Sequence, residues 1–387
     1  MGSELKELGG KNGSVAHCED YPRGGGGGAG GEGKDQRPLL KSDSSVSDGS
    51  GAAASACESV EELERKYAAF VRRDAYGTMG RGELPLREKV LVGIALVSLV
   101  PLRLVLGVGI LVVYYLICRV CTLFKDPNRE DEQEDYAHMV GWRREVVVRS
   151  GRFLSRAILF TLGFYWIHES LFENVGMEQS DEHERKRPGA VVSNHISYLD
   201  ILYHMSSSFP SFVAKHLWQV GLTQAQPRRA HAASKKGRGV IVERVQDAHQ
   251  NKHSPMMLLF PEGTTTNGDF LLPFKTGAFL AKVPILPVIL RYPYQRFSPA
   301  WDSISGVRHV VFLLCQFVNH LEVIHLPAYY PSQQEMDDPK LFANNVRKLM
   351  ATEGNLTLSD IGLPEKRVYH AALNGNGLPR VLHQKDE

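Results

Sequence analysis

Cysteine is scarce in this chain: five residues in 387, at Cys18, Cys57, Cys118, Cys121 and Cys315. They form no disulfide framework, so an ordinary hydrophobic core must hold the fold. An excess of one charge is also missing. Lys plus Arg number 45 against 43 Asp plus Glu, which implies no bulk attraction to nucleic acid. Metal-ligand spacing is absent: His183, His195 and His204 lie near one another in sequence without forming a dense set. So is a nucleotide-loop fingerprint, because the glycine tract Gly24 to Gly28 lacks a flanking strand. No resident cofactor and no metal are expected. No signal-peptide core is evident near the N-terminus.

Long apolar runs are absent with one exception. Residues 90–117 are almost wholly apolar, interrupted by Pro101 and Arg103. Two readings stand: a single spanning helix, for which roughly 20 residues suffice, or a re-entrant hairpin hinged at Pro101. In the first, Arg103 would cost about 2.5–3.5 kcal/mol at mid-membrane. Basic residues flank both ends and suit the hairpin slightly better. Residues 153–167 are too short for a span and read as an interfacial or core helix.

The rest of the chain divides by composition. Residues 1–59 are Gly/Ser-rich and poor in large apolar side chains, so disorder is expected. Residues 60–89 make a juxtamembrane helix, with Leu63, Tyr67 and Phe70 on one face. Residues 90–118 form the membrane segment and 119–150 a charged linker. Residues 151–330 form the catalytic domain, within which 307–326 reads as buried strands. Residues 331–387 form a helical extension and tail, with an amphipathic helix over 341–350.

Chemistry is concentrated in Asn194-His195-Ile196-Ser197-Tyr198-Leu199-Asp200, directly after the apolar step Ala190-Val191-Val192. A strand ending in a polar turn delivers its side chains to the rim of a sheet. Imidazole can take a proton from an alcohol, and a carboxylate can fix its tautomer. The plainer alternative is a surface histidine beside an unrelated N-cap aspartate. A second segment, Phe260-Pro261-Glu262-Gly263-Thr264-Thr265-Thr266, follows a predicted strand from Met256. Its glycine allows a tight turn, its threonines offer hydroxyls and N–H groups, and Lys275 follows. Such a turn can bind phosphate.

Together these segments resemble the glycerolipid acyltransferase family (1-acylglycerol-3-phosphate acyltransferase-like). Ser211 to Lys215 and Val283 to Val288 are similar to further strands of that family. Stretches at Ser305 to His309, Val318 to Glu322 and Leu349 to Asn355 resemble the plant lysophosphatidylethanolamine acyltransferases. The resemblance implies an α/β fold: a central, mostly parallel sheet flanked by helices, with an N-terminal membrane-anchoring helical segment. It implies acyl-CoA as co-substrate, a lysophospholipid acceptor, a bilayer partner and an endoplasmic-reticulum membrane location. His195 and Asp200 would be catalytic, and Glu262, Gly263, Thr264 and Lys275 would bind substrate. Lysophosphatidylethanolamine is the expected acceptor; lysophosphatidic acid or glycerol 3-phosphate is the alternative. Nothing in the sequence sets an oligomeric state.

One family motif is replaced. Where an aromatic-rich strand should end in a phosphate-gripping arginine, residues 216–236 read as a polar, basic loop. Arg228, Arg229 and Arg244 are weak substitutes. The replacement raises a third reading, a catalytically impaired membrane or lipid-binding isoform.

Overall fold

Short apolar runs without polar alternation require a sheet covered on both faces. The computed structural model, which describes residues 60–124, 128–130, 133–135, 139, 141–171, 187–212 and 227–374, contains one. The expected tail at 1–59, residues 213–226 and the end at 375–387 lie outside the described residues. Six strands run in the order β3 (Ile167–Leu171), β9 (Leu321–His325), β8 (Ile285–Arg291), β4 (Ala190–Ser193), β6 (Met257–Leu259), β5 (Ser211–Phe212). Only β8 and β9 pair antiparallel; the other neighbours are parallel. The α/β expectation therefore holds.

Alternate side chains of each central strand enter different cores. Val191, Leu258, Val288 and Leu290 face one layer, with Leu159 of α4 (Trp142–Thr161), Leu199 and Tyr203 of α5 (Leu199–Ser207) and Leu313 of α7 (Gly306–Cys315). Ala190, Val192, Met257, Ile285 and Ile289 face the other. That layer holds Val245 of α6 (Pro227–Gln250) and Phe342, Val346 and Met350 of α9 (Pro339–Glu353). The last three recur every four residues, so one helical stripe is buried, each side chain stabilising by about 1.5–3 kcal/mol. This is the amphipathic helix expected over 341–350.

Smaller elements complete the chain. A hairpin pairs β1 (Asn128–Glu130) with β2 (Gln133–Asp135), and β7 (Phe270–Leu271) pairs in parallel with β10 (Thr357–Leu358). Helix α8 (Gln333–Asp337) starts at a capping box of Ser332 and Glu335. Both ends of the described chain meet in a third core. Leu63 of α1 (Val60–Lys66), with Tyr67 and Phe70 just beyond it, is buried against Val368, Tyr369 and Ala372 of α10 (Leu363–Leu373).

Five expectations are corrected. First, α1 stops at Lys66 and the chain becomes extended at Val71, because Arg72 must reach Asp302. Residues 60–89 are thus docked on the catalytic domain rather than forming one juxtamembrane helix. Second, the apolar run breaks at Ser98, between α2 (Leu86–Val97) and α3 (Leu99–Thr122), and not at Pro101. Pro101 sits in the first turn of α3, where a missing N–H is harmless. Arg103 is buried and donates to the carbonyls of Leu314 at 3.0 Å and Phe317 at 3.0 Å. Its charge meets protein carbonyls, so the expected mid-membrane cost does not arise.

Third, the stretch read as strands over 307–326 is helix α7 followed by β9. Fourth, the basic stretch read as a loop is helical from Pro227 onward; proline at the first helical position is a start signal. Its earlier part, 216–226, lies outside the described residues. The stretch read as a charged linker also contains structure, because α4 begins at Trp142 and Glu145 pairs with Arg149 one turn later at 2.7 Å.

Candidate active site

The parallel strands β4, β6 and β8 are neighbours and end at one rim. Their C-terminal ends carry His195, Glu262 and Tyr292, the placement expected of a ligand crevice in a parallel sheet. His195 Nδ1 lies 2.8 Å from Asp200 Oδ2. That oxygen also accepts from the N–H of Ile196 at 2.7 Å and of Ser197 at 2.9 Å. Tyr292 donates its hydroxyl to Asp200 Oδ1 at 2.7 Å. Four donors converge on this buried carboxylate, which sits in the first turn of α5. Asp200 thus orders its own turn and holds the histidine.

With Nδ1 on Asp200, the imidazole keeps Nε2 for the cleft. The ring stacks on Phe260 with centroids 4.2 Å apart. Its backbone is pinned as well: His195 N–H donates to Glu262 Oε1 at 2.7 Å, and its carbonyl accepts from Thr266 N–H at 3.0 Å. Asn194, which the motif contains but to which no role was assigned, clasps Leu290 of β8. Its amide donates to the Leu290 carbonyl at 3.0 Å and accepts from the Leu290 N–H at 2.8 Å.

The Phe-Pro-Glu-Gly segment contributes differently from the sequence expectation. Glu262 is 2% exposed and bridges His195 N–H to Leu272 N–H, the latter at 2.9 Å. It supports the histidine from behind. Thr265 and Thr266 are buried and spend their hydroxyls on the carbonyls of Trp301 and Phe270. Thr264 and Thr265 line the cleft, but the Thr265 hydroxyl is already engaged. Gly263 has φ +71°, and an added Cβ would lie 2.5 Å from Lys275 Nζ. Lys275 thus packs across the turn that glycine makes possible.

The cleft holds about 620 Å³ and brings together His195, Gly263, Thr264, Trp301, Lys366 and Arg367, with His370 beside them. Sequence reading missed Tyr292, Trp301 and the contribution of α10. Tyr292 stands 92 positions from the carboxylate it holds, and no local pattern marks such a pair. Lys366 is 8% exposed and donates to the carbonyl and hydroxyl of Thr265, each at 2.7 Å.

Burial pushes the Glu262 carboxyl up to about 8, against the downward pull of the two N–H donors. The folded value lies above the unfolded one, so the folded state retains a proton that the unfolded chain releases. Stability from this group is complete below about pH 4.5 and is lost as pH rises towards 8. Glu262→Gln should remove that loss. Its melting temperature relative to the parent should improve between about pH 5 and pH 8; parallel melting curves across that window would refute the assignment.

The Acyltransferase family profile matches residues 174–291. Lysophospholipid acyltransferase LPEAT1 of Arabidopsis thaliana is 58% identical over 391 residues, covering 92% of this chain and 96% of that one. Lysophosphatidylcholine acyltransferase 1 of Danio rerio is 28% identical, covering 70% of this chain and 52% of its own length. The chain thus spans nearly all of the first relative and about half of the second. Among solved structures, the 1-acyl-sn-glycerophosphate acyltransferase PlsC of Thermotoga maritima is 16% identical with a TM-score of 0.37, over 69% of this chain and 97% of that one. That superposition is loose, and the fold class rests on the sheet topology above.

The family profile and the 58% identical relative make this α/β protein an acyltransferase. The chain belongs to the acyltransferase family.

Proposed function

We propose that the chain transfers an acyl group from acyl-CoA to the free hydroxyl of a lysophospholipid, with lysophosphatidylethanolamine as acceptor, in phospholipid remodelling. The observation that carries this reading is the His195–Asp200 pair at 2.8 Å on the rim of the parallel sheet, in a chain 58% identical to a lysophospholipid acyltransferase. His195 Nε2 takes the hydroxyl proton as the oxygen attacks the thioester carbon. Asp200 holds the ring and stabilises the imidazolium. The tetrahedral oxyanion collapses, the carbon–sulfur bond breaks, and the thiolate leaves with CoA. Glu262 fixes the histidine backbone, while Gly263 and Thr264 form the wall that receives the acceptor, with Lys275 packed against that turn.

The test is acyl transfer by membranes of an acyltransferase-deficient host expressing this chain, with labelled acyl-CoA and a panel of lysophospholipids. Transfer to lysophosphatidylethanolamine is expected. Preference for lysophosphatidic acid or glycerol 3-phosphate would overturn the acceptor, and no transfer by correctly inserted protein would overturn the activity.

The same reading includes how the enzyme sits on its membrane, at the endoplasmic reticulum. Helix α3 is about 36 Å long, enough to cross a bilayer by length and composition. Yet the chain on both sides of it belongs to one folded body. Before α3, Ala68 accepts from Asn267 at 2.9 Å and Tyr76 packs on Phe297. After it, α4 runs back along α3, with Arg143 donating to the Leu123 carbonyl at 2.8 Å. A single crossing would part residues that touch; α2, about 18 Å long, is too short to return the chain, and α4, with Arg144, Glu145, Arg149, Arg152 and Arg156, is too charged to do so. Helix α3 therefore lies within one leaflet, its exposed leucines and valines in lipid. Cysteines placed at Arg65 and at Lys340, in a cysteine-free background, should react with a membrane-impermeant maleimide from the same face of sealed microsomes. Labelling from opposite faces would rule this placement out.

A further inference from the structure

Helix α10 of the C-terminal extension enters the cleft beside His195, although no motif drew attention to it. Its residue Arg367 is exposed and lines the cleft with the catalytic histidine and Thr264. Among the described residues its guanidinium has no hydrogen-bond or ion-pair partner. Its neighbour Lys366 is spent on Thr265, and Arg72 is spent on Asp74 and Asp302. Arg367 is thus a cation held at the cleft wall with its fork of donors unused.

The helix that carries it is well fixed. Val368, Tyr369 and Ala372 lock its inner side to the core of Leu63, Tyr67 and Phe70. Lys366 ties its first turns to the loop after Glu262, and His370 Nε2 lies 3.1 Å from the Asp302 carbonyl. A guanidinium mounted on so rigid a support loses less freedom on binding than one on a loop.

We propose that Arg367 is the acceptor-phosphate residue of this enzyme, binding the phosphodiester of the lysophospholipid while His195 addresses the hydroxyl. The proposal rests on the acyl-transfer reading above. In a lysophospholipid the phosphate stands only a few bonds from the free hydroxyl, so a cation in the same cleft as the base is placed to meet it. The phosphates of CoA are separated from the thioester by the long pantetheine arm and belong farther from the reacting carbon. Arginine suits the task because its planar fork can bind two phosphate oxygens at once. Recognition of the acceptor would then depend on the C-terminal extension, with the Phe-Pro-Glu-Gly turn forming the opposite wall.

Binding separates this proposal from the activity it rests on. Full-length protein carrying His195→Ala is purified in detergent, and its affinity is measured for lysophosphatidylethanolamine and for a monoacylglycerol, which lacks the phosphate. Adding Arg367→Ala should weaken lysophosphatidylethanolamine binding roughly tenfold and leave monoacylglycerol binding unchanged, with Arg367→Lys in between. Equal weakening of both ligands, or of neither, would overturn the proposal. In the active background, Arg367→Ala should raise KM for the acceptor and not for acyl-CoA; a rise for acyl-CoA alone would assign Arg367 to the donor. Absence of transfer by the unmodified enzyme would count against the activity while leaving the binding result to decide Arg367.

Discussion

His195→Ala lowers the turnover number by about three to four orders of magnitude, the scale of a positioned general base together with its orienting carboxylate. The fold should survive. The ring's contacts are the stack on Phe260 and the bond to Asp200, whereas the backbone N–H to Glu262 and the carbonyl to Thr266 persist in alanine. Membrane association and melting temperature are therefore expected to stay near those of the parent. Asp200→Asn should be nearly as damaging. Asp200 takes four donors, from His195, Ile196, Ser197 and Tyr292, and an amide must turn its own donor towards one of them. Initial rates with saturating acyl-CoA and lysophospholipid measure both. Retained turnover in purified His195→Ala protein would remove the dyad from the mechanism.

Arg72→Met should be the most destabilising single change, at about 3–5 kcal/mol, because it leaves buried carboxylates without their cation. Arg72 is fully buried and pairs with Asp74 at 2.5 Å and Asp302 at 3.2 Å, also buried. It donates further to the Ser298 carbonyl at 3.0 Å and lies 4.5 Å from the centre of the Phe297 ring. Burial already pushes Asp302 up, with Arg72 holding it down. Without the guanidinium, residues 60–80 lose their anchor on the catalytic domain. Thermal unfolding in detergent should show the loss, and limited proteolysis should cut first within that segment. An unchanged melting temperature would mean that the network contributes nothing net.

The dyad was legible because its two members stand five positions apart, close enough for a local pattern to join them. The sheet was legible for a similar reason: Ala190 to Val192 and Met256 to Phe260 are apolar on both faces, as strands buried on both sides must be. Tyr292 and Arg72 were invisible because tertiary structure alone brings them to their partners, and Arg367 because tertiary structure alone brings it to the cleft. Helix α7 was misread through His309. Counted as polar, it breaks the apolar pattern. In the fold it is fully buried, 0% exposed, its pKa drawn down to about 4 by burial. It packs inside one helical turn from buried Leu313, its ring nitrogens met by the Tyr198 hydroxyl and the Pro299 carbonyl. The threonines after Gly263 show the reverse error. Their composition suggests anion binding, but two of the three hydroxyls satisfy backbone carbonyls of neighbouring loops.

The third core, in which Leu63, Tyr67 and Phe70 meet Val368, Tyr369 and Ala372, sets an order of assembly. During synthesis the apolar helix α3 emerges and can enter the membrane long before α10 exists. The segment around Arg72 must wait, its apolar side uncovered, until the last helix leaves the ribosome. Loop closure over some three hundred residues makes that contact late and slow. The cleft wall bearing Arg367 forms in the same step, so a nascent chain already lodged in the bilayer would complete its cleft last.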